Sequence, residues 1–115
     1  MTSSHNLSQS DDMIYMNIAF SLAKRGQGRT GKNPSVGAVI VKNNVIIARG
    51  RTQDGGRPHA EVSAINAAIS DVKDARLYVT LEPCAHQGTS GACVDAIIAS
   101  GIKEVIIGAL DANPK

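Results

Sequence analysis

The sequence has few aromatic side chains, only two cysteines and no long apolar run. Its 115 residues include no tryptophan, one phenylalanine and two tyrosines, so few rings are available to stack unpaired bases. No apolar stretch approaches the roughly 20 residues of a membrane-spanning helix. Lys and Arg number 12 against 10 for Asp and Glu, a net charge of +2, which is a weak bias beside the basic patches of nucleic-acid-binding proteins. We therefore expect neither a nucleic-acid nor a membrane partner.

The two cysteines, Cys84 and Cys93, are better explained as metal ligands or catalytic groups than as a disulfide. The first residues are polar and lack the cationic and apolar parts of an export signal, so a cytoplasmic location is expected. Disulfides are rare in that reducing compartment. Metal binding or catalysis therefore gains weight, with two inert thiols as the alternative.

Hydrophobic content and periodicity predict one small α/β domain. Hydrophobic residues make up 43% of the chain, which excludes wholesale disorder. Residues 1–10 are predicted to be a disordered leader, and residues 11–115 to form the domain. Helices are predicted from Asp11 to near Gly26 and over 59–69 and 92–100, and strands over 36–42, 45–50, 75–81 and 104–110. A hairpin turn at Asn43 and Asn44 is predicted to join the first two strands. Helices between the later strands imply parallel crossovers, so we expect a three-layer α/β/α sandwich with a mixed sheet.

A glycine-rich stretch over residues 26–32 contains both G-x-G-x-x-G and G-x-x-x-x-G-K. These motifs bind phosphate when a strand precedes the glycines and a helix follows them. Here the predicted order is reversed, and Asn33 stands where a P-loop needs Ser or Thr. We interpret the stretch as a loop that lines the site from one side.

Two short motifs together supply the groups that a catalytic zinc site needs. An H-A-E motif opens one predicted helix, and a P-C pair, followed nine residues later by a second cysteine, opens the next helical segment. One imidazole and two thiolates leave a fourth tetrahedral position for water, which is typical of catalytic zinc. Zinc makes hydroxide available near neutral pH, and a neighbouring carboxylate can carry the proton to a leaving nitrogen. The predicted ligands of one zinc ion are His59, Cys84 and Cys93, and the predicted general acid/base is Glu61.

Each motif is weak evidence alone, but their combination matches the zinc-deaminase signature H-x-E…P-C-x-x-C. The second cysteine departs from the short form, because eight residues separate Cys84 from Cys93. A buried histidine with two core thiols is the structural alternative. It leaves Glu61 and the P-C junction unexplained.

From about residue 12 to 115 the chain resembles the deaminase domain of the bifunctional riboflavin-biosynthesis deaminase/reductase family. The matching motifs are N-P-S-V-G at 33–37, H-A-E-V at 59–62, T-L-E-P-C-A-H at 80–86 and D-A-N-P at 111–114, the last with Ala for the family's first Pro. The long cysteine spacing separates this family from cytidine, guanine and tRNA-adenosine deaminases. The resemblance implies a cytidine-deaminase-like fold.

The resemblance also implies a reaction and its substrate contacts. The substrate would be 2,5-diamino-6-(5-phosphoribosylamino)pyrimidin-4(3H)-one, which would lose its 2-amino group as ammonia. The implied substrate-binding residues are Asn33, Ala60, Glu82 and His86. The family domain continues with a further helix and strand and then a reductase domain that uses NADPH. We therefore expect a domain truncated at its C-terminus, whose exposed strand edge would favour homo-oligomers.

Two departures from the family pattern bear on the substrate. Thr89 stands where the family usually has a basic residue, and Thr52 stands where it often has histidine. The charge that meets a substrate phosphate would then come from Lys32, Arg51 or Arg57. Two alternatives stay open: a zinc deaminase that acts on another base, nucleoside or pterin, and a catalytically silent zinc-binding module.

Overall fold

The computed structural model describes residues 2–32, 34–80 and 91–108. Its elements are α1 (Thr2–Arg25), β1 (Gly37–Lys42), β2 (Val45–Arg51), a short 3-10 turn (Asp54–Gly56), α2 (Ala60–Ala67), β3 (Arg76–Val79), α3 (Gly91–Ser100) and β4 (Glu104–Ile107). The predicted order α-β-β-α-β-α-β is confirmed. No helix in these ranges combines the length and apolar character needed to cross a membrane.

The four strands described form one mixed sheet in the order β2-β1-β3-β4. β1 is antiparallel to both β2 and β3, whereas β3 and β4 are parallel. Asn43 and Asn44 connect β1 to β2 with φ angles of 54° and 64°, as the two central residues of a tight hairpin turn require. The predicted hairpin and the mixed sheet are therefore confirmed.

Helices cover both faces of the sheet. On one face α1 places Ala19 against Val39 and Tyr78. On the other face α2 and α3 contribute Ala64 and Ile97 to a second apolar cluster with the strands. Successive side chains of a strand point to opposite faces, so each strand feeds both clusters. The predicted three-layer α/β/α arrangement is present.

Helix α1 begins at Thr2, whereas the sequence predicts a disordered leader over residues 1–10 and a helix from Asp11. The structure differs from that prediction at residues 2–10, which are helical. No proline or glycine occurs between Thr2 and Arg25. Helix extension adds one hydrogen bond for each residue fixed, so the turns that pack on the sheet can continue into the polar segment.

Other element ends also differ from prediction by one to three residues. Helix α2 ends at Ala67, because Ala68 already has an extended ψ of 137°. The predicted strand over 104–110 is confirmed as β4 up to Ile107, and residues 109 and 110 lie outside the described residues.

Candidate active site

One edge of the sheet gathers the segments that carry the predicted site. β1 begins at this edge and β2 and β3 end there, because Gly37 pairs with Arg51 and Ala38 pairs with Val79. β2 leads into α2. Helix α3 ends at the opposite edge, where the carbonyl after it, that of Gly101, accepts a hydrogen bond from the chain just before β3. Both helices therefore begin on the side of the strands' carboxyl ends, where α/β sheets commonly bind ligands.

His59 is the N-cap residue of α2, with an extended backbone (φ −71°, ψ 164°). Its carbonyl accepts a hydrogen bond of 2.9 Å from the Ser63 amide. The Gln53 side chain donates to the Ser63 hydroxyl at 3.1 Å, and the Gln53 amide donates to the Pro58 carbonyl at 3.1 Å. These bonds tie the loop before the helix to its first turn, and so place His59 at the sheet edge.

Glu61 lies in the first turn of α2 and is only 3% exposed. Burial raises the pKa of its carboxyl group, against the opposing effects of a hydrogen bond to its own backbone and of His59 nearby. No Lys or Arg among the described residues forms an ion pair with Glu61. A buried carboxyl that lacks a Lys or Arg partner is suited to proton transfer, and perturbed groups of this kind cluster at functional sites.

Gly50 allows α2 to lie directly on β2. A Cβ atom at this position would lie 2.5 Å from the Ala64 nitrogen and 2.7 Å from the Ala60 oxygen. Ala60 and Ala64 are both fully buried, so small residues on the helix match the glycine on the strand. This close approach is what buries the first turn of α2, including Glu61.

Two buried threonines hold the segment that leads into β1. The Thr52 hydroxyl donates to the Pro34 carbonyl at 3.1 Å and accepts from the Val36 amide at 3.0 Å. The Thr80 hydroxyl accepts from the Gly37 amide at 3.1 Å. In the sequence, Thr52 is notable only as a departure from the family pattern, and Thr80 only as part of a motif. The two residues are 1% and 5% exposed. Their hydrogen bonds to distant segments could not be predicted from the sequence, because they form only when the segments meet.

The basic residues near this edge differ in what they contact. Arg51 donates to the Thr52 carbonyl at 3.1 Å and to the Asp54 carboxylate at 3.3 Å, with a side chain 23% exposed. Lys32 and Arg57 are exposed, and neither forms an ion pair within the part of the chain that the structure describes. Of the three predicted phosphate contacts, Arg51 is therefore already engaged with Asp54.

The structure describes the side chains of three of the eight predicted site residues. His59, Ala60 and Glu61 are consecutive in the chain and lie at the start of α2. Outside the described residues lie Asn33, Glu82, Cys84 and His86. Cys93 belongs to the first turn of α3, but its side chain is not among those described.

The donor set suits zinc, since one imidazole and two thiols leave room for water. Among the described residues, the buried carboxyl group of Glu61 lies close to His59. Within the described residues no group of three His, Cys, Asp or Glu side chains could hold a metal ion, and Cys84 lies outside those residues. The ligand set therefore stays a prediction.

Comparison with known proteins identifies the class of protein. Residues 9–109 match the family model described as the cytidine and deoxycytidylate deaminase zinc-binding region. The chain therefore belongs to this zinc-binding deaminase family, as the fold and the H-A-E motif at the start of α2 lead one to expect.

Three similar proteins narrow the comparison. The chain is 52% identical over 103 residues to riboflavin biosynthesis protein RibD of Aquifex aeolicus, covering 90% of this chain and 29% of that protein. It is 49% identical over 104 residues to the diaminohydroxyphosphoribosylamino-pyrimidine deaminase of Buchnera aphidicola subsp. Schizaphis graminum, covering 90% and 71%. The crystal structure of the Thermotoga maritima diaminohydroxyphosphoribosylaminopyrimidine deaminase/5-amino-6-(5-phosphoribosylamino)uracil reductase superposes with a TM-score of 0.81 at 48% identity, covering 91% and 31%.

These relatives confirm the predicted cytidine-deaminase-like fold and the resemblance to the riboflavin-biosynthesis deaminases. The chain spans less than a third of the length of the Aquifex and Thermotoga proteins. It spans 71% of the Buchnera deaminase.

Proposed function

We propose that this chain catalyses the zinc-dependent hydrolytic deamination of 2,5-diamino-6-(5-phosphoribosylamino)pyrimidin-4(3H)-one in riboflavin biosynthesis. The observation that carries the proposal is the buried Glu61 carboxyl, two residues after His59 at the start of α2. The names of the relatives supply the substrate. We further infer that residues 11–115 form one deaminase domain.

Glu61 is the proton carrier in the proposed reaction. The oxygen of water forms a bond to the ring carbon that bears the 2-amino group, and the bond from that carbon to nitrogen breaks. Glu61 accepts the proton that water loses and gives it to the departing nitrogen, so ammonia leaves and the carboxylate is restored. A zinc ion held by His59, Cys84 and Cys93 would make the water nucleophilic near neutral pH.

The proposed substrate contacts follow the family pattern, with one position replaced. Backbone and side-chain groups at Asn33, Ala60, Glu82 and His86 would line the pyrimidine pocket. Thr89 cannot supply the positive charge that a phosphate attracts, so exposed Lys32 or Arg57 would do so. Ammonia release from the substrate with and without its phosphate tests this, because substitution of the contacting residue by Ala should raise KM only for the phosphorylated form.

The location, oligomeric state, partners and second cofactor of the enzyme belong to the same proposal. The cytoplasmic location, the homo-oligomer and the absence of a nucleic-acid partner stay predictions. NADPH would act only in a reductase domain, such as the name of the Thermotoga maritima relative includes.

The first experiment measures zinc content and ammonia release together. Wild type should hold about one zinc ion per chain. Glu61→Gln should keep the zinc and lose about 10²-fold to 10⁴-fold in kcat, because the amide has the same shape but cannot carry the proton. Cys84→Ala should lose both zinc and activity. Glu104→Gln is the matched control, since Glu104 is half-exposed at the opposite sheet edge, and it should keep both.

The other outcomes point to the alternatives. A wild type that holds zinc and releases no ammonia from any substrate would indicate a catalytically silent zinc-binding module. Faster release from a free base, a nucleoside or a pterin would indicate a deaminase with another substrate.

A further inference from the structure

We infer that Thr52 is a positioning residue for substrate recognition, because its hydroxyl fixes the backbone from which Asn33 extends. This inference rests on the proposed function, in which Asn33 binds the pyrimidine. Thr52 itself would not touch the substrate. It would act through the segment over residues 34–36.

Three hydrogen bonds join Thr52 to this segment. Its amide donates to the Val36 carbonyl at 2.9 Å, and its hydroxyl accepts from the Val36 amide at 3.0 Å. The hydroxyl also donates to the Pro34 carbonyl at 3.1 Å. Thr52 therefore extends the pairing of β1 and β2 past the last residue pair, Gly37 with Arg51.

The bond to Pro34 is the one that matters for the neighbouring Asn33. Proline has no backbone N–H, so its carbonyl is its main hydrogen-bonding group. In the structure this carbonyl accepts the hydrogen bond from the Thr52 hydroxyl. The next residue, Ser35, is held separately, since its hydroxyl donates to the Ala23 carbonyl of α1 at 2.5 Å. Loss of the Thr52 hydroxyl would thus release the end of the segment that is closest to Asn33.

The Thr52 hydroxyl is not available to a substrate. A hydroxyl has one proton to donate, and here that proton goes to Pro34. Thr52 is also only 1% exposed. Its place in the chain adds a second connection, because the loop that follows it leads to His59. One buried side chain thus links the backbone next to the predicted substrate ligand with the loop that leads to the predicted metal ligand.

The test compares Thr52→Val, which keeps the shape and removes the hydroxyl, with Thr52→Ser, which keeps the hydroxyl. Steady-state kinetics on the phosphoribosylaminopyrimidine should show KM raised about tenfold in the valine variant, with kcat changed less than about threefold. Zinc content should not change. The serine variant should bring KM back to within about threefold of wild type.

Ile47→Val is the control for a general loss of stability. Ile47 is a buried residue of β2, the strand that precedes Thr52, and is 8% exposed. It belongs to the apolar cluster that includes Ala64 and Ile97. The Ile47→Val substitution should lower the melting temperature and leave KM unchanged. An unchanged KM in Thr52→Val, or an equal rise in Ile47→Val, would overturn the inference.

Amide hydrogen exchange separates this inference from the proposed function. If wild type does not deaminate the pyrimidine, the proposed function fails. The exchange rate of the Val36 amide then decides whether Thr52 fixes the segment. Protection should be lost in Thr52→Val and kept in Thr52→Ser and Ile47→Val, whereas equal protection in all three would refute the positioning role.

Discussion

Tyr78 and Glu61 are both buried, but their surroundings give them different roles. Tyr78 is fully buried in the sheet, and its hydroxyl donates to the Asp12 carboxylate of α1. The Asp12 carboxylate oxygen Oδ1 also lies 3.5 Å from the guanidinium nitrogen Nη1 of Arg76. Each of these three side chains therefore has a polar partner, which is typical of a structural network. Glu61 has no Lys or Arg ion-pair partner among the described residues, and its burial beside His59 makes it a candidate functional group.

Tyr78→Phe tests the structural role at the residue scale. Loss of the hydrogen bond to a charged acceptor should lower the free energy of unfolding by about 1.5–3 kcal/mol at pH 7. Burial, and next the hydrogen bond to Asp12, raises the pKa of Tyr78 to about 12, whereas an unfolded tyrosine titrates near 10. The folded state therefore holds the proton more tightly, and this contribution, complete below pH 10, is lost as the pH rises toward 12.

Urea unfolding between pH 7 and pH 11 measures this effect. The difference between wild type and Tyr78→Phe should shrink as the pH rises. Tyr15→Phe is the control, since the Tyr15 hydroxyl forms an exposed hydrogen bond of 3.2 Å to the Asn44 carbonyl. Tyr15→Phe should change the free energy of unfolding only slightly. If the loss of stability in Tyr78→Phe is the same at every pH, the prediction is wrong.

At the scale of elements, two glycines set the distances between helices and sheet. A Cβ at Gly37 would lie 1.9 Å from the Ala19 carbonyl oxygen of α1. A Cβ at Gly50 would collide with the backbone of α2. A backbone atom cannot rotate away as the end of a side chain can, so a larger residue at either glycine must displace a helix.

Gly50→Ala should affect both stability and catalysis. We expect the free energy of unfolding to fall by about 3 kcal/mol, at the upper end of the range for overpacking, because the atoms that the new Cβ would meet belong to the backbone. At temperatures where the variant stays folded, kcat/KM should fall at least about tenfold, because a small misplacement of catalytic groups is costly and α2 carries His59 and Glu61.

Gly101→Ala is the matched control for this prediction. Gly101 has a φ of 84° and lies after α3, where a Cβ would come within 3.2 Å of the flexible Lys73 side chain. Its substitution should cost about 1 kcal/mol for the left-handed backbone and leave kcat/KM unchanged. Equal activity of Gly50→Ala and wild type would show that the close packing of α2 on β2 does not set the catalytic geometry.

At the scale of the whole molecule, the proposed zinc ligands come from separate parts of the fold. His59 begins α2, and Cys93 lies in the first turn of α3. The two helices are in contact on one face of the sheet. A metal ion bound to both would join elements that are otherwise held by apolar packing, so metal binding and folding should be coupled.

Removal of zinc with a chelator should therefore lower the melting temperature. Zinc at about 100 times its Kd would stabilise the fold by about 2.7 kcal/mol, which corresponds to a shift of roughly 10 °C for a domain of this size. Thermal unfolding with and without chelator measures the shift. Glu61→Gln should show the same response and Cys84→Ala none. A wild type whose melting temperature ignores the chelator would contradict the proposed ligands.

Local sequence patterns were sufficient for the order of elements and for the location of His59 and Glu61 at the start of a helix. The apolar runs around Asn43 and Asn44 predicted the hairpin, because two residues that accept positive φ favour a tight turn. The alanine-rich segment after His59 predicted a helix, and placed Glu61 in its first turn. The start of α1 was not predictable in this way, because the polar residues before Asp11 are helical only as an extension of turns that pack on the sheet.

The sequence by itself determined the order of the helices, strands and turns, and it supplied the predictions for the side chains that carry the chemistry, since both depend on neighbours in the chain. Only the tertiary structure decided which distant residues meet. The Thr80 hydroxyl holds the Gly37 amide across 43 positions, and the Tyr78 hydroxyl reaches Asp12 across 66. Such contacts depend on the strand order β2-β1-β3-β4 and on close packing at glycine. Periodicity carries no information about either, because it reports only which face of an element is buried.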